Sequence, residues 1–473
     1  MSNLYTLLAT GFPADRAKPC FILADGSEVS YATLETQVSR VAGHLIASGV
    51  QPGDRIVLKD EKSIAFVAIY LATLKAGAVF VPLNAAYTQS EVDYFIDNAE
   101  PKLTITDARS FVEQAATAGH TLDHAIPRNA GDLASLIYTS GTTGRSKGAM
   151  LTHGNLAANA KALHEIWAFT PNDVLLHALP IFHVHGLFVA MHCAFLSGCP
   201  MIWLLKFADA DVLAGLKRAT VMMGVPTFYT RLLANPAFTR DLASSIRVFI
   251  SGSAPLLPTT FAEFEQRTGQ PILERYGMSE AVIITSNPLN GERIAGSVGY
   301  PLPGVELRIA RKEEESGEDT GVIEIRGPSV FGGYWRMPEK TREEFRDGYF
   351  ITGDVGRRDP DGRVYISGRA KDLIISGGYN VYPKEIELIL DELPGVIEST
   401  VIGLPHPDFG EAVCAVVIGT GREPEMIAAC REKLAAFKTP KRILFVDDLP
   451  RNAMGKVQKN LLRQQHAGLF TKS

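Results

Sequence analysis

Cysteine is scarce and scattered. Five residues, Cys20, Cys193, Cys199, Cys414 and Cys430, include no C-x-x-C pair. An odd, dispersed set argues against a disulfide framework and leads to the expectation of a reducing compartment. No run of lysine and arginine stands out, and the formal net charge is −5. Nucleic acid is therefore not the expected main partner. No apolar run has the length of a membrane span, and residues 1–20, MSNLYTLLATGFPADRAKPC, lack the basic and apolar regions of a signal peptide. A cytoplasmic protein without membrane insertion is expected. The chain also lacks internal repeats and low-complexity tracts.

What is present is a globular composition, 46% apolar and 21% charged, in 473 residues. That length exceeds one ordinary core, so two or more domains are expected. Over roughly the first 290 residues, short apolar runs alternate with amphipathic stretches, as in α/β units. The runs at 55–60, 78–83, 134–139, 220–225 and 246–251 predict buried strands, and 31–49 predicts a helix with a glycine cap. From about residue 295 the texture becomes short alternating strands with Gly, Pro and Asp turns, DPDG at 359–362 among them. After 367–387 a compact α+β unit follows. The expected organisation is a large domain, 1–369, of α/β subdomains plus a small β-rich subdomain, then a small α+β domain, 370–473.

The stretch YTSGTTGRSKGAMLTH (138–153) concentrates glycines, hydroxyls and cations behind an apolar run. Small residues let backbone N–H groups turn toward an anion. Ser140, Thr142, Thr143 and Ser146 add donors, while Arg145 and Lys147 add charge. A Walker loop reads G-x-x-x-x-G-K-[ST]. Counted from Gly141, Lys147 is in place, but Ser146 replaces the second glycine and Gly148 replaces the magnesium-binding hydroxyl. The competing reading is an ordinary Gly/Ser/Thr surface loop.

This run, with RYGMSE (275–280), GYFITGDVG (348–356), GRAKDLIISGGYNVYPKEIE (368–387) and PRNAMGKVQK (450–459), resembles the motifs of the adenylate-forming family in their order. That family includes acyl-CoA synthetases, luciferases and peptide-synthetase adenylation domains. The resemblance implies joining a carboxylate to ATP, giving an acyl adenylate and diphosphate, after which a thiol displaces AMP. It implies that Thr139, Ser140, Gly141, Thr142, Thr143, Gly144 and Lys147 cradle the β- and γ-phosphates. Glu280 would carry Mg²⁺, with Ser279 at a position usually held by Thr. Tyr276 and Gly277 would flank adenine, Asp354 would accept from the ribose, and Arg369 would contact ribose or phosphate. Lys456 would bridge the attacking carboxylate and the α-phosphate. The small domain would be mobile about Lys371, exchanging Lys456 for a face carrying Gly377, Gly378 and Tyr379 when CoA enters.

PIFHVHG (180–186) lies in the region that flanks the acyl site in this family. On a strand, His183 and His185 share a face, and His192 is near in sequence. No Cys, Asp or Glu accompanies them at ligand spacing. A gate or carboxylate donor is the expectation for His183, and core packing for His185. Arg231 and Arg275 both fall near the expected acyl pocket, which is odd for an apolar acid. From spacing alone they face either a second substrate carboxylate or acidic protein groups and solvent.

LPIFHVHGLF, VMMGVPTFYTRLL, ISGSAPLL and LERYGMSE resemble the malonyl-CoA synthetase branch of the family. On that resemblance Arg231, Ser253 and Arg275 hold the distal carboxylate, and Arg145 and His183 assist near the reacting one. Val184 and Ile283 replace the Thr and Met often found there, so methylmalonate stands beside malonate as a candidate acid. The expected activity is a malonate–CoA ligase using ATP, CoA and Mg²⁺. Another short acid, or a P-loop-like NTPase or phosphotransferase, is the alternative.

Overall fold

The computed structural model describes residues 3–139, 146–311, 320–376, 379–452 and 455–470. Near-continuous apolar runs become strands covered on both faces, as parallel sheets require. Val79–Leu83 is buried at every position and pairs in parallel with Arg55–Lys59 and with Leu133–Thr139. Leu103–Ile105 extends this five-stranded sheet in parallel at one edge, and Lys147–Thr152 closes the other edge antiparallel. The helix Ile64–Lys75 starts where the Ser63 side chain accepts from the Phe66 amide. It is buried nearly all round, so it is a core helix and not an amphipathic surface one.

A fourteen-stranded sheet forms the rest of the large domain. One half runs parallel through Met201–Trp203, Leu175–His177, Val221–Gly224, Val248–Ser251 and Leu273–Met278. The direction then reverses at Val282–Ser286 and Ser297–Pro301. The β-rich strands Val364–Arg369, Tyr349–Arg358, Thr320–Arg326 and Glu306–Ala310 continue it antiparallel. DPDG closes the hairpin between Tyr349–Arg358 and Val364–Arg369, the Gly362 amide donating to the Asp359 carbonyl.

PIFHVHG is not a strand. Leu175–His177 ends before Pro180, and His185–Ala190 is a π-helical turn. Proline cannot donate to a ladder, and at Gly186 the chain folds back so tightly that a Cβ would collide with the Pro180 carbonyl. Strand alternation therefore does not relate His183 to His185.

The small domain has its own sheet, with Val396–His406 antiparallel to Gly410–Gly419, and Arg442–Val446 parallel to the latter. Alternation along these strands feeds two cores. Val401 and Val413 pack with Leu390 and Met426 on one face, and Ile402 and Cys414 pack with Leu462 on the other. Val364–Arg369 belongs to the large sheet and Ile374–Ser376 to the small one, joined by the single turn Ala370–Asp372. No helix among the described residues is long and apolar enough to cross a membrane.

Candidate active site

A cavity of about 340 Å³ opens between the two domains. Ser253, Arg275, Tyr276, Asp354, Arg369 and Lys456 all line it, so five separate sequence motifs converge there. Asp354 is buried and lies opposite Arg369 in the antiparallel ladder. The Arg369 Nε is 3.0 Å from its carboxylate, and the Tyr276 hydroxyl donates to it at 2.6 Å. Lys456 arrives from the small domain, just after Gly455, whose φ of +73° makes the turn. Its backbone amide donates to Asn452 Oδ1 at 3.0 Å. Burial and the neighbouring Arg369 push the Lys456 ammonium down to about 8.

The proposed phosphate segment is only partly in view. Ser140, Gly141, Thr142, Thr143, Gly144 and Arg145 lie outside the described residues, as do Gly377 and Gly378. The flanks are clear, since Thr139 pairs with Lys147 on adjacent antiparallel strands. A Walker loop leads into a helix whose N-terminus holds phosphate. This segment leads into a strand, so the P-loop alternative loses its structural context. Lys147 Nζ lies 3.5 Å from Glu344 and 4.3 Å from the Tyr334 ring centroid. The Tyr334 hydroxyl donates to Glu280 at 3.0 Å. Burial raises the Glu280 carboxyl, with Tyr334 and Lys147 opposing the shift. Ser279, beside it, is half-buried.

The Arg275 end of the cavity is different in kind. Arg275 is 4% exposed, and its Nε and Nη2 find no partner among the described residues. Gly252 makes room for it, since a Cβ there would collide with the guanidinium. Burial pulls Arg275 down to about 9, still charged at neutral pH. Burial, then Arg275, push His183 down to about 4, so His183 is neutral. The His185 amide donates to His183 Nδ1 at 3.2 Å, which leaves the His183 proton on Nε2. His185 is buried, and its Nδ1 is 3.2 Å from the Ser253 hydroxyl. Ser253 has φ +73°, a conformation non-glycine residues adopt at a cost of about 1–3 kcal/mol. Val184 and Ile283 are buried in the main core, Ile283 against Gly277.

Several expected residues are elsewhere. Arg231 is exposed, its guanidinium 5.8 Å over the Phe207 ring. Tyr229, Leu232 and Leu233 form the buried face of helix Pro226–Ala234, and Arg231 falls outside that face. His192 pairs with the Tyr70 hydroxyl at 2.7 Å and is not grouped with His183 and His185. No cluster of three His, Cys, Asp or Glu among the described residues is placed to hold a metal ion. Lys371 sits in the linking turn, and Tyr379 is 59% exposed, stacked 4.6 Å from Phe437. Two site residues escaped the sequence reading. Tyr334 anchors Glu280, and Glu274 is a buried carboxyl on the cavity wall, its Oε2 without a partner among the described residues, raised by burial to about 7. Neither lies in a pattern that separates it from packing residues.

Residues 9–335 match the model of the AMP-binding enzyme family, and residues 385–456 match that of the AMP-binding enzyme C-terminal domain. A malonate–CoA ligase of Arabidopsis thaliana is 34% identical, covering 94% of this chain and 85% of its own length. A feruloyl-CoA synthase of an Amycolatopsis species is 36% identical over 93% and 94%. The crystal structure of ATP-bound MatB from Rhodopseudomonas palustris superposes with a TM-score of 0.94 at 49% identity, covering 99% of each chain. The apo form of MatB gives 0.84. The chain thus superposes better on the ATP-bound form than on the apo form.

Proposed function

Because the chain belongs to the AMP-binding enzyme family and is an AMP-forming acid–thiol ligase, we propose that its acid is malonate and its thiol CoA, with methylmalonate as a second acid. Arg275 carries the choice of acid. A buried guanidinium with N–H groups uncommitted and no carboxylate paired to it among the described residues costs several kcal/mol. A second substrate carboxylate removes that cost by pairing, which a monocarboxylic acid cannot do once its one carboxylate is reacting. Ser253 adds a neutral donor to that distal carboxylate, and Arg231 a cationic one once its side chain leaves Phe207. Arg145 and the His183 Nε2–H assist near the reacting carboxylate. The Arabidopsis malonate–CoA ligase supports this acid, whereas the feruloyl relative means that family alone leaves it open.

In the first half-reaction a carboxylate oxygen attacks the α-phosphorus of ATP, and the bond to the departing diphosphate breaks. In the second the CoA sulfur attacks the acyl carbon, and AMP leaves with the C–O electron pair. Lys456 offsets the charge that crowds together as carboxylate and α-phosphate meet. Tyr276 and Gly277 flank adenine, Asp354 accepts from the ribose, and Arg369 turns to ribose or phosphate. Thr139, the 140–145 segment and Lys147 hold the β- and γ-phosphates. Magnesium suits Glu280 with Ser279 beside it, a hard carboxylate oxygen anchored by Tyr334. There it would neutralise phosphate charge.

The domain boundary falls at 369/370, giving domains 1–369 and 370–473, with Lys371 at the hinge. Rotation about it withdraws Lys456 and brings the Gly377–Tyr379 face to the cavity for the thiol. The test is AMP formation with ATP, Mg²⁺ and CoA, offering malonate, methylmalonate, succinate, propionate and acetate in parallel. Turnover confined to the three-carbon diacid and its methyl derivative is expected. Preference for propionate or acetate would overturn the acid and leave the ligase chemistry standing.

A further inference from the structure

Behind the acid end a buried lysine crosses between the two sheets of the large domain. Lys62 lies between strand Arg55–Lys59 and helix Ile64–Lys75 and is 9% exposed. Its Nζ is 2.8 Å from His177 Nδ1, 2.9 Å from the His177 carbonyl, 3.0 Å from that of Leu179 and 2.7 Å from that of Leu204. It also stands 4.1 Å from the Trp203 ring centroid. No ion pair with a carboxylate offsets its burial among the described residues.

The Gly186 carbonyl can only accept, so His177 carries its proton on Nε2 and accepts from Lys62 at Nδ1, although burial pushes the Lys62 ammonium well down. That Nε2 lies 3.0 Å from the Gly186 carbonyl and donates to it. Lys62 thus reaches Leu179 directly and Gly186 through His177. Those two carbonyls bracket the 180–185 loop, which presents His183 and the His185–Ser253 pair beside Arg275. An unpaired interior ammonium is costly, and an apolar chain of similar size would fill the space more cheaply. What an apolar chain cannot do is bind these carbonyls and the His177 ring together, its three N–H groups shared among the four acceptors, and so hold one histidine tautomer in a single geometry.

We infer that Lys62 is a positioning residue for the acid: acting through His177, it fixes the 180–185 loop so that His183 and Ser253 stay beside Arg275. The inference rests on the reading of the Arg275 end as the acid subsite, but not on malonate being the acid. The test measures KM for acid and for ATP, kcat and the melting temperature in Lys62→Met, His177→Asn and the double variant. The acid is whichever one the wild type turns over best. Lys62→Met is expected to raise the acid KM about tenfold or more, with the ATP KM changed by less than about twofold. His177→Asn keeps an acceptor for Lys62 but cannot span to Gly186, and should give the same split. The double variant should add no further loss. Acid and ATP KM rising together, kcat falling with both KM values unchanged, or additive losses would overturn the inference. If Lys62→Met does not fold, the KM split in His177→Asn decides alone. Arg275→Ala run in parallel separates the two readings: an unchanged acid KM there would refute the acid subsite itself.

Discussion

The proposed nucleotide end and the proposed acid end of one cavity treat charge in opposite ways. At the nucleotide end Asp354 already has Arg369 and Tyr276, and Lys456 faces Asp354 and Asp372 as well as Arg369. At the acid end Arg275 is buried with no carboxylate paired to it among the described residues, next to two neutral histidines and a strained serine. Paired charges can exchange partners when ATP arrives at modest net cost. An unpaired one favours whatever anion completes it. On the proposed reading, the first arrangement receives ATP and the second discriminates among acids.

The sharpest way to break this contrast is at Lys456. Lys456→Ala should cut diphosphate release by about 10²–10³-fold while ATP binding, followed by calorimetry, persists. Diphosphate release at the wild-type rate would remove Lys456 from the chemistry. Next comes Arg275→Met, expected to cost about 2–5 kcal/mol of kcat/KM with malonate. Propionate, which lacks the second charge, should lose far less; equal losses for both acids would refute the dicarboxylate reading.

A third measurement is the pH profile of kcat/KM for ATP, which reports groups of the free enzyme. The Lys456 ammonium, held down to about 8, is charged below that value and neutral above it. The profile should therefore fall as pH rises through about 8, and Lys456→Arg should move that limb upward. A flat profile to pH 10 would show that Lys456 keeps its ordinary affinity for protons. The smallest effect is expected from Val184→Thr with Ile283→Met. These should shift the methylmalonate-to-malonate ratio toward malonate by no more than about 1–3 kcal/mol. No shift would place both side chains away from the C2 carbon.

Much of the fold was legible because burial leaves a local trace. Val79–Leu83, Leu133–Thr139 and Val248–Ser251 read as strands from apolar runs alone. PIFHVHG misled because its apolar character suits a strand, while Pro180 and Gly186 make it a folded-back loop. Arg231 and Arg275 looked equivalent, each a lone arginine near apolar residues. Helical phase turns the first outward, and a central strand beside Gly252 holds the second inside. Lys62, in DEKS, was indistinguishable from a solvated surface charge.

By itself the sequence determined the family, the order of its motifs and the alternation of apolar segments. Phosphate handling and strand burial each demand particular residue types at short spacing, and short spacing survives in one dimension. Only the tertiary structure decided which arginine is buried without a partner among the described residues, and which tyrosine anchors Glu280. Pairing and desolvation depend on neighbours far apart in the chain, and no local pattern records who those neighbours are.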